Sequence, residues 1–311
     1  MSNNTMGHAA TTHGILRTDV EPPQRRFLFV LRESGGAIQA ELGLARRLIE
    51  RGHAVHVLGD PCIAPDATAI GCTFRSYIRA PYRVDRSPAS DFVKAWELHN
   101  PLKAFARQRD RVAFGPALAY AEDLLETLER WSADVLVIDR TLFGGMIAAE
   151  KSGLPTALIV TNCYLPPMPG RPAPGAGFLP AKGLPGRLRD RVCSAVIKRL
   201  FATGLPAFNV ARGQLGLAPL HHPLAQLDRA DRILVMTSRA FDFMAPSPRP
   251  TCDTSARCST IRYGPNRGCP HGPLTIPTPW CWWASVRCSR ISVPCCSGSS
   301  TQSRHYQYVR W

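Results

Sequence analysis

Apolar residues between Arg26 and Phe243 follow two patterns that alternate along the chain. Short continuous apolar runs are typical of strands buried on both faces of a sheet, and longer segments with a helical period follow them. The runs predict six strands: RFLFVLRE (26–33), AVHVLGD (54–60), GCTFRSY (71–77), DVLVID (134–139), TALIVT (156–161) and RILVMTS (232–238). This alternation predicts an α/β fold, a doubly wound parallel sheet of Rossmann-like type.

Amphipathic segments predict the helices between these strands. In the first of them, Leu42, Ala45, Leu48 and Ile49 share one face. Further helices are predicted over 89–107, 112–131 and 142–152. Neither the strand pattern nor the helical period persists after Phe243. We therefore expect four segments: a disordered leader (1–25), a Rossmann-like domain (26–243), a linker (244–250) and an irregular tail (251–311).

Composition narrows the class of protein. With 311 residues and 45% hydrophobic content, the chain has enough apolar residues for one large domain or two small ones. The first 25 residues are polar and lack the apolar run of a secretory signal. No later stretch reaches the roughly 20 apolar residues of a membrane span. These features predict a soluble cytoplasmic protein.

The net charge of +15 raises the question of an anionic partner. Because the charge is spread along the chain, we predict no nucleic-acid partner. The densest basic stretch, KGLPGRLRDRVCSAVIK (182–198), interleaves basic with apolar residues as a surface helix does. It is either a solvated basic face above a stripe that packs on the core, or a weak contact with a membrane surface.

The tail differs in composition from the rest of the chain. Its 61 residues contain seven of the 11 cysteines, four of the six tryptophans and a single acid, Asp253. It is a disordered basic appendage, a zinc site that includes His271, or the product of a changed reading frame. Gaps of 6, 11, 12, 7 and 7 residues between cysteines do not reproduce paired C-x2-C motifs, which argues against zinc.

A changed reading frame explains more of the tail than the other interpretations. Suppose that each codon begins at the third base of the present codon. The nucleotides for Trp280 to Ala284 are then translated as V-L-V-G, whichever synonymous codons are used. V-L-V-G is typical of a buried strand. With GC-rich codons, TCDTSARCSTIR becomes V-R-Y-V-G-P-V-L-D-D-P. One shift near Thr251 accounts for the excess of Cys and Trp, the loss of acids and the loss of periodicity.

Three segments of the domain resemble the N-terminal domain of UDP-dependent glycosyltransferases of GT-B fold, in particular the macrolide-glycosyltransferase-like group. They are RFLFVLRESGGAIQAELGLARRLIERGHAVHVLGDP, DVLVIDRTLFGGMIAAEKSGLP and RADRILVMTSRAFDF. The resemblance implies an inverting enzyme whose N-terminal domain binds a small lipophilic acceptor and whose second domain binds a UDP-sugar. It implies no metal and no cofactor apart from that donor. The tail cannot supply the second domain, so we expect the chain as written to be inactive, or to act as a non-catalytic binding protein.

The resemblance also implies a site at the carboxyl edge of the sheet. Gly35, Gly36 and Ala37 are the expected acceptor-binding residues. Phe143 is a further acceptor-binding candidate; alternatively, as an aromatic residue of an amphipathic helix, it packs in the core. Ala37 stands where many members have the histidine that acts as general base, so Glu33 or another group must replace it. Asp139 matches the aspartate that orients this histidine and is our catalytic candidate; alternatively, it only caps the next helix. Loop histidines His221 and His222 lack further ligands at metal spacing, and we predict no metal site.

Overall fold

The computed structural model describes residues 24–162, 172, 177–237 and 252–253. They form one parallel sheet of seven strands in the order β3-β2-β1-β4-β5-β6-β7. Its strands are β1 (Arg26–Val30), β2 (Ala54–Gly59), β3 (Thr73–Ser76), β4 (Val135–Asp139), β5 (Thr156–Val160), β6 (Arg232–Val235) and β7 (Cys252–Asp253). The first six are the strands predicted from the sequence, and the predicted doubly wound fold is confirmed.

Helices cover both faces of the sheet and bury two separate apolar layers. They are α1 (Gly36–Ile49), α2 (Ala64–Ala69), α3 (Pro101–Gln108), α4 (Ala117–Arg130), α5 (Phe143–Ser152), α6 (Leu184–Ala202) and α7 (Leu205–Gln214). One layer lies beneath α1 and α2, with Phe29 and Val57 at its centre. The other lies beneath α4, α5 and α7 and includes Leu28 and Ile138. Since neighbouring side chains of β1 enter different layers, the strand is apolar from Phe27 to Val30.

The helix predicted over 89–107 is wrong for its first part. Two short 3-10 turns, Pro88–Ser90 and Ala95–Glu97, replace it, and α3 begins only at Pro101. The Asp91 carboxylate accepts the backbone N–H of Val93, at 2.8 Å, and that of Lys94. Asn100 accepts the N–H groups of the first turn of α3. Asp and Asn side chains of this kind compete with helix hydrogen bonds, which breaks the predicted helix.

The helix predicted over 112–131 begins later, at Ala117. Gly115 and Pro116 precede it, and helical conformation is sterically disfavoured for the residue before a proline. Once begun, α4 packs closely on α5. A Cβ atom added at Gly144 would lie 2.1 Å from the carbonyl oxygen of Ala117, so the glycine is required for this approach.

Some predicted segments lie outside the described residues. These are residues 1–23 of the leader, residues 238–251 with the whole linker, and residues 254–311 of the tail. In the tail, Cys252–Asp253 pairs in parallel with Ile233 and Leu234 of β6, where an irregular segment was expected. Strand pairing uses backbone N–H and C=O groups, which is why the composition of a segment does not prevent it. The domain boundaries themselves stay predictions.

Candidate functional site

The candidate site lies where β1, β2 and β4 end. β1 is hydrogen-bonded to both of the others, and Val30 is in register with Leu58 of β2 and with Ile138 of β4. In an open parallel sheet the carboxyl ends of the strands are where ligands bind, next to the point where the strand order reverses. The loop after β1 and the last residue of β4 therefore share one edge of the sheet.

Glycines carry the chain from β1 into α1. Gly35 is the residue before the helix and has a φ of 74°, a left-handed conformation that a residue with a Cβ rarely adopts. Gly36 begins α1, and both glycines are exposed. Ala37, the residue at the position of the expected histidine, is partly exposed in the first turn of the helix. The structure thus places all three predicted acceptor-binding residues of this loop at the carboxyl edge.

Glu33 holds the loop together. Its Oε1 accepts the backbone N–H of Gly35 at 2.7 Å, and its Oε2 accepts the Nε of Arg86 at 2.7 Å. The backbone N–H of Glu33 donates to the Oδ2 of Asp60 at 2.8 Å. Both oxygens of this carboxylate are occupied, and it is paired with a guanidinium. Glu33 is therefore suited to fixing the loop and poorly suited to replacing the missing base.

Asp60, which follows β2, is a buried carboxyl with one unsatisfied oxygen. The side chain is 1% exposed, and its Oδ1 has no hydrogen-bond partner among the residues that the structure describes. Burial raises the pKa of Asp60 to about 6, although the hydrogen bond from Glu33 and attraction to Arg32 act in the opposite direction. The charge of Asp60 therefore changes closer to neutral pH than that of an ordinary aspartate.

Glu41 adds a second buried carboxyl, one helical turn after Ala37. It is 1% exposed, and in the described part of the chain its Oε2 has no hydrogen-bond partner. Burial, followed by repulsion from Asp139, raises the pKa of Glu41 well above its usual value, while attraction to Arg32 lowers it. Arg32 is itself 4% exposed. The site thus combines a buried cation with carboxyls that differ in their tendency to hold a proton.

Asp139 ends β4 and is 5% exposed. Its Oδ1 accepts hydrogen bonds from the backbone N–H of Thr141 at 2.8 Å and from the Thr141 hydroxyl at 3.0 Å. The residue before α5 is Leu142, which provides no side-chain cap. Asp139 therefore stabilises the turn that leads into α5 and does not cap the helix directly. Within the described part of the chain, its Oδ2 accepts no hydrogen bond.

Phe143 is placed differently from the glycine loop. It is 5% exposed, and its ring lies in a cluster with Phe114, at 4.8 Å, and Phe208, at 5.8 Å. The ring is part of the core beneath α4, α5 and α7, and its predicted contact with an acceptor stays a prediction. The loop residue His222 is bonded to the Lys198 carbonyl and the Leu224 N–H. Among described residues, no group of His, Cys, Asp or Glu is arranged to hold a metal ion.

Sequence reasoning missed Glu41, Asp60 and Arg32. A signal for Glu41 exists, because Ile38, Glu41, Leu42 and Ala45 are the buried residues of α1 and form its apolar face. A glutamate at such a position is almost never fully buried unless its carboxyl is paired. Asp60 directly follows β2, and Arg32 lies two residues after β1. Their positions at the carboxyl ends of buried strands are the sequence signal for them, because ligands bind there in such sheets.

No protein-family model matches the chain. The chain is 28% identical over 192 residues to 4'-demethylrebeccamycin synthase of Lentzea aerocolonigenes. This match covers 59% of the chain and 42% of the relative, so the chain spans less than half the length of that protein.

Several solved structures are similar at low identity. The glycosyltransferase of kitacinnamycin matches with 19% identity and a TM-score of 0.48, over 70% of this chain and 47% of that one. The calicheamicin glycosyltransferase CalG4 matches with 17% identity and a TM-score of 0.48, over 74% and 52%. VinC, a glycosyltransferase solved in complex with DTDP, matches with 16% identity and a TM-score of 0.44, over 72% and 51%. Over 59% of its length the chain is similar to a curated glycosyltransferase, and this partial overlap fits the N-terminal domain of a GT-B enzyme, as the sequence predicted.

Proposed function

We propose that residues 26–243 are the acceptor-binding domain of an inverting glycosyltransferase. The observation that carries the proposal is the 28% identity with 4'-demethylrebeccamycin synthase over 192 residues. The reaction transfers a sugar from a nucleotide sugar, with UDP-sugar as the expected donor, to a hydroxyl of a lipophilic small molecule. The enzyme acts in the cytoplasm. The carboxyl edge, with its glycine loop and Asp139, is where the acceptor binds.

Asp139 is the proposed general base. Ala37 provides no imidazole, and Glu33 is paired with Arg86, whereas the Oδ2 of Asp139 accepts no hydrogen bond among described residues. In the reaction, the acceptor O–H proton passes to Asp139, and the oxygen electron pair forms the bond to the anomeric carbon. The bond from this carbon to the diphosphate breaks, and its electron pair leaves with the nucleotide diphosphate. A positioned base of this kind contributes roughly 100- to 10,000-fold.

Glu41 supports this assignment. Because burial and the neighbouring Asp139 charge raise the pKa of Glu41, this carboxyl stays protonated over a wider pH range than an ordinary glutamate. A protonated Glu41 therefore adds no negative charge beside Asp139.

The chain as written does not transfer sugar under this proposal. In the family that it resembles, the second domain binds the nucleotide, with a helix N-terminus facing the diphosphate. A change of reading frame near Thr251 replaces the sequence of that domain with the Cys- and Trp-rich tail. A non-catalytic protein that binds a small molecule through the same edge is the alternative.

Transfer by a frame-restored protein tests the assignment of Asp139. The donors are radiolabelled UDP- and dTDP-sugars, and the acceptors are a panel of macrolide and polyketide aglycones. We expect Asp139→Asn to lower the rate roughly 100-fold or more. Asp134→Asn is the matched control, since Asp134 immediately precedes the same strand and is paired with Arg26 at the opposite edge. Ala37→His restores the expected imidazole and should raise the rate.

Two results would contradict the proposal. Full transfer by Asp139→Asn, with an unchanged melting temperature, would exclude Asp139 as the base. Binding of an aglycone with no transfer from any nucleotide sugar by the frame-restored protein would favour the non-catalytic alternative.

A further inference from the structure

Helix α6 exposes a row of apolar side chains. Leu184, Leu188, Val192 and Val196 are spaced four residues apart and are 80%, 62%, 55% and 54% exposed. A helix turns about 100° per residue, so the four side chains lie within roughly 120° of one another on one face. We call this face the apolar row.

The apolar row points away from the domain. The helix contacts the domain through its other side, where Asp190 is buried and the Phe201 ring lies 5.2 Å from that of Phe105. The sequence left open whether the apolar residues of 182–198 pack on the core. In the structure the apolar row does not, so burial in this domain does not account for it.

A basic row runs beside the apolar row. Arg187, Arg191 and Lys198 are exposed and fall within about 40° of one another around the helix. Within the described residues, none of these three side chains has an ion-pair partner. The acid of α6, Asp190, is buried and paired with Arg189 at 2.7 Å. The outward surface of α6 therefore combines exposed apolar side chains with positive charge and carries no acid.

This combination matches the chemistry of an anionic lipid surface. A helix that lies in a membrane interface places its apolar side chains at the boundary between headgroups and acyl chains, while Lys and Arg attract anionic lipids. Among described residues no helix is long and apolar enough to cross a membrane. Contact through α6 would therefore be peripheral.

We propose that α6 binds an anionic membrane surface, with the apolar row inserted at the interface and the basic row facing lipid phosphates. A single short helix of this kind gives weak and reversible attachment. The binding does not depend on glycosyl transfer, because it uses residues outside the candidate site.

Vesicle flotation of the full 311-residue chain tests this proposal, since vesicles rise in a density gradient and aggregated protein sinks. The two vesicle types contain phosphatidylcholine alone and phosphatidylcholine mixed with phosphatidylglycerol. We expect the chain to float with the anionic vesicles. Leu188→Ser should weaken binding roughly tenfold through the loss of apolar burial. Arg191→Gln should weaken it about fivefold, the contribution of one basic residue near an anionic surface.

Matched controls change the same residue types elsewhere on the surface. Val210→Ser replaces a valine that is 61% exposed on α7, and Arg51→Gln removes an exposed arginine after α1. Both should float as the unchanged chain does. The proposal is overturned if the chain stays unbound, if neutral and anionic vesicles bind it equally, or if the controls weaken binding as much as the α6 variants. Sedimentation showing a dimer that Leu188→Ser dissociates would also overturn it, by assigning the apolar row to a second copy.

Discussion

Replacing Asp60 with asparagine should make the protein more stable at neutral pH. Asp60 is 1% exposed and directly follows β2, where its Oδ1 has no hydrogen-bond partner among described residues. An ionised carboxylate is unfavourable in such a place because it loses its hydration. Asparagine has nearly the same shape, carries no charge and keeps an oxygen that accepts the Glu33 N–H.

The size of the effect follows from the pKa of Asp60. In the folded protein burial raises this pKa from 3.8 to about 6. The difference of about 2 pKa units corresponds to about 3 kcal/mol in the free energy of unfolding. Because the folded-state pKa is raised, the contribution of Asp60 to the stability of the folded protein is fully present below about pH 4. This contribution is lost as the pH rises through about 6. Asp60→Asn removes this loss. Above pH 6 the free energy of unfolding of the variant should exceed that of the unchanged chain by at most about 3 kcal/mol.

Urea unfolding at pH values from about 4 to about 8 measures this difference. The control is Asp134→Asn, because the hydrogen bond from Arg26 lowers the pKa of Asp134. The stabilising effect of the ionised Asp134 carboxylate is present at neutral pH and is lost as the pH falls. Asp134→Asn should therefore be less stable than the unchanged chain at neutral pH. Stability curves of Asp60→Asn and the unchanged chain that run parallel over the whole range would refute the reasoning.

Two further substitutions test the packing of the domain by the same urea measurement. Gly144→Ala should lower the free energy of unfolding by about 2–3 kcal/mol, since the new Cβ would lie 2.1 Å from the Ala117 carbonyl oxygen and α4 and α5 must separate. Gly213→Ala should raise it by about 0.5–1 kcal/mol, because nothing lies within 4 Å of the new atom in α7. Equal effects of the two alanines would contradict the close contact of α4 and α5.

The strands of this fold were predictable from the sequence because of their environment. A parallel strand between two helical layers needs apolar residues on both faces, and Val135–Asp139 and Thr156–Val160 show this as continuous runs. The segment 89–107 was not predictable from its period. There the side chains of Asp91 and Asn100 satisfy backbone N–H groups locally, and hydrogen bonds of this kind decide the conformation independently of apolar spacing.

The site was predictable in part. Asp139 was selected because the resemblance implies an aspartate at the end of this strand, and its place at the carboxyl edge follows from the sheet order. Its catalytic role stays a prediction. The environment of Glu41 depends on contacts between α1 and the ends of distant strands, so its raised pKa has no counterpart in the sequence. Likewise, only the structure places the apolar row of α6 on the outside, because a helical period does not say which face is buried.

Nucleotide binding is the most direct test of the central proposal that this chain has an acceptor domain and that a changed reading frame replaces the sequence of its donor domain. Isothermal titration calorimetry would compare UDP and dTDP binding to the 311-residue chain and to a protein whose reading frame is restored after Pro250. The account predicts no detectable nucleotide binding by the 311-residue chain and clear binding by the restored protein. Equal affinity of the two proteins for either nucleotide would contradict it.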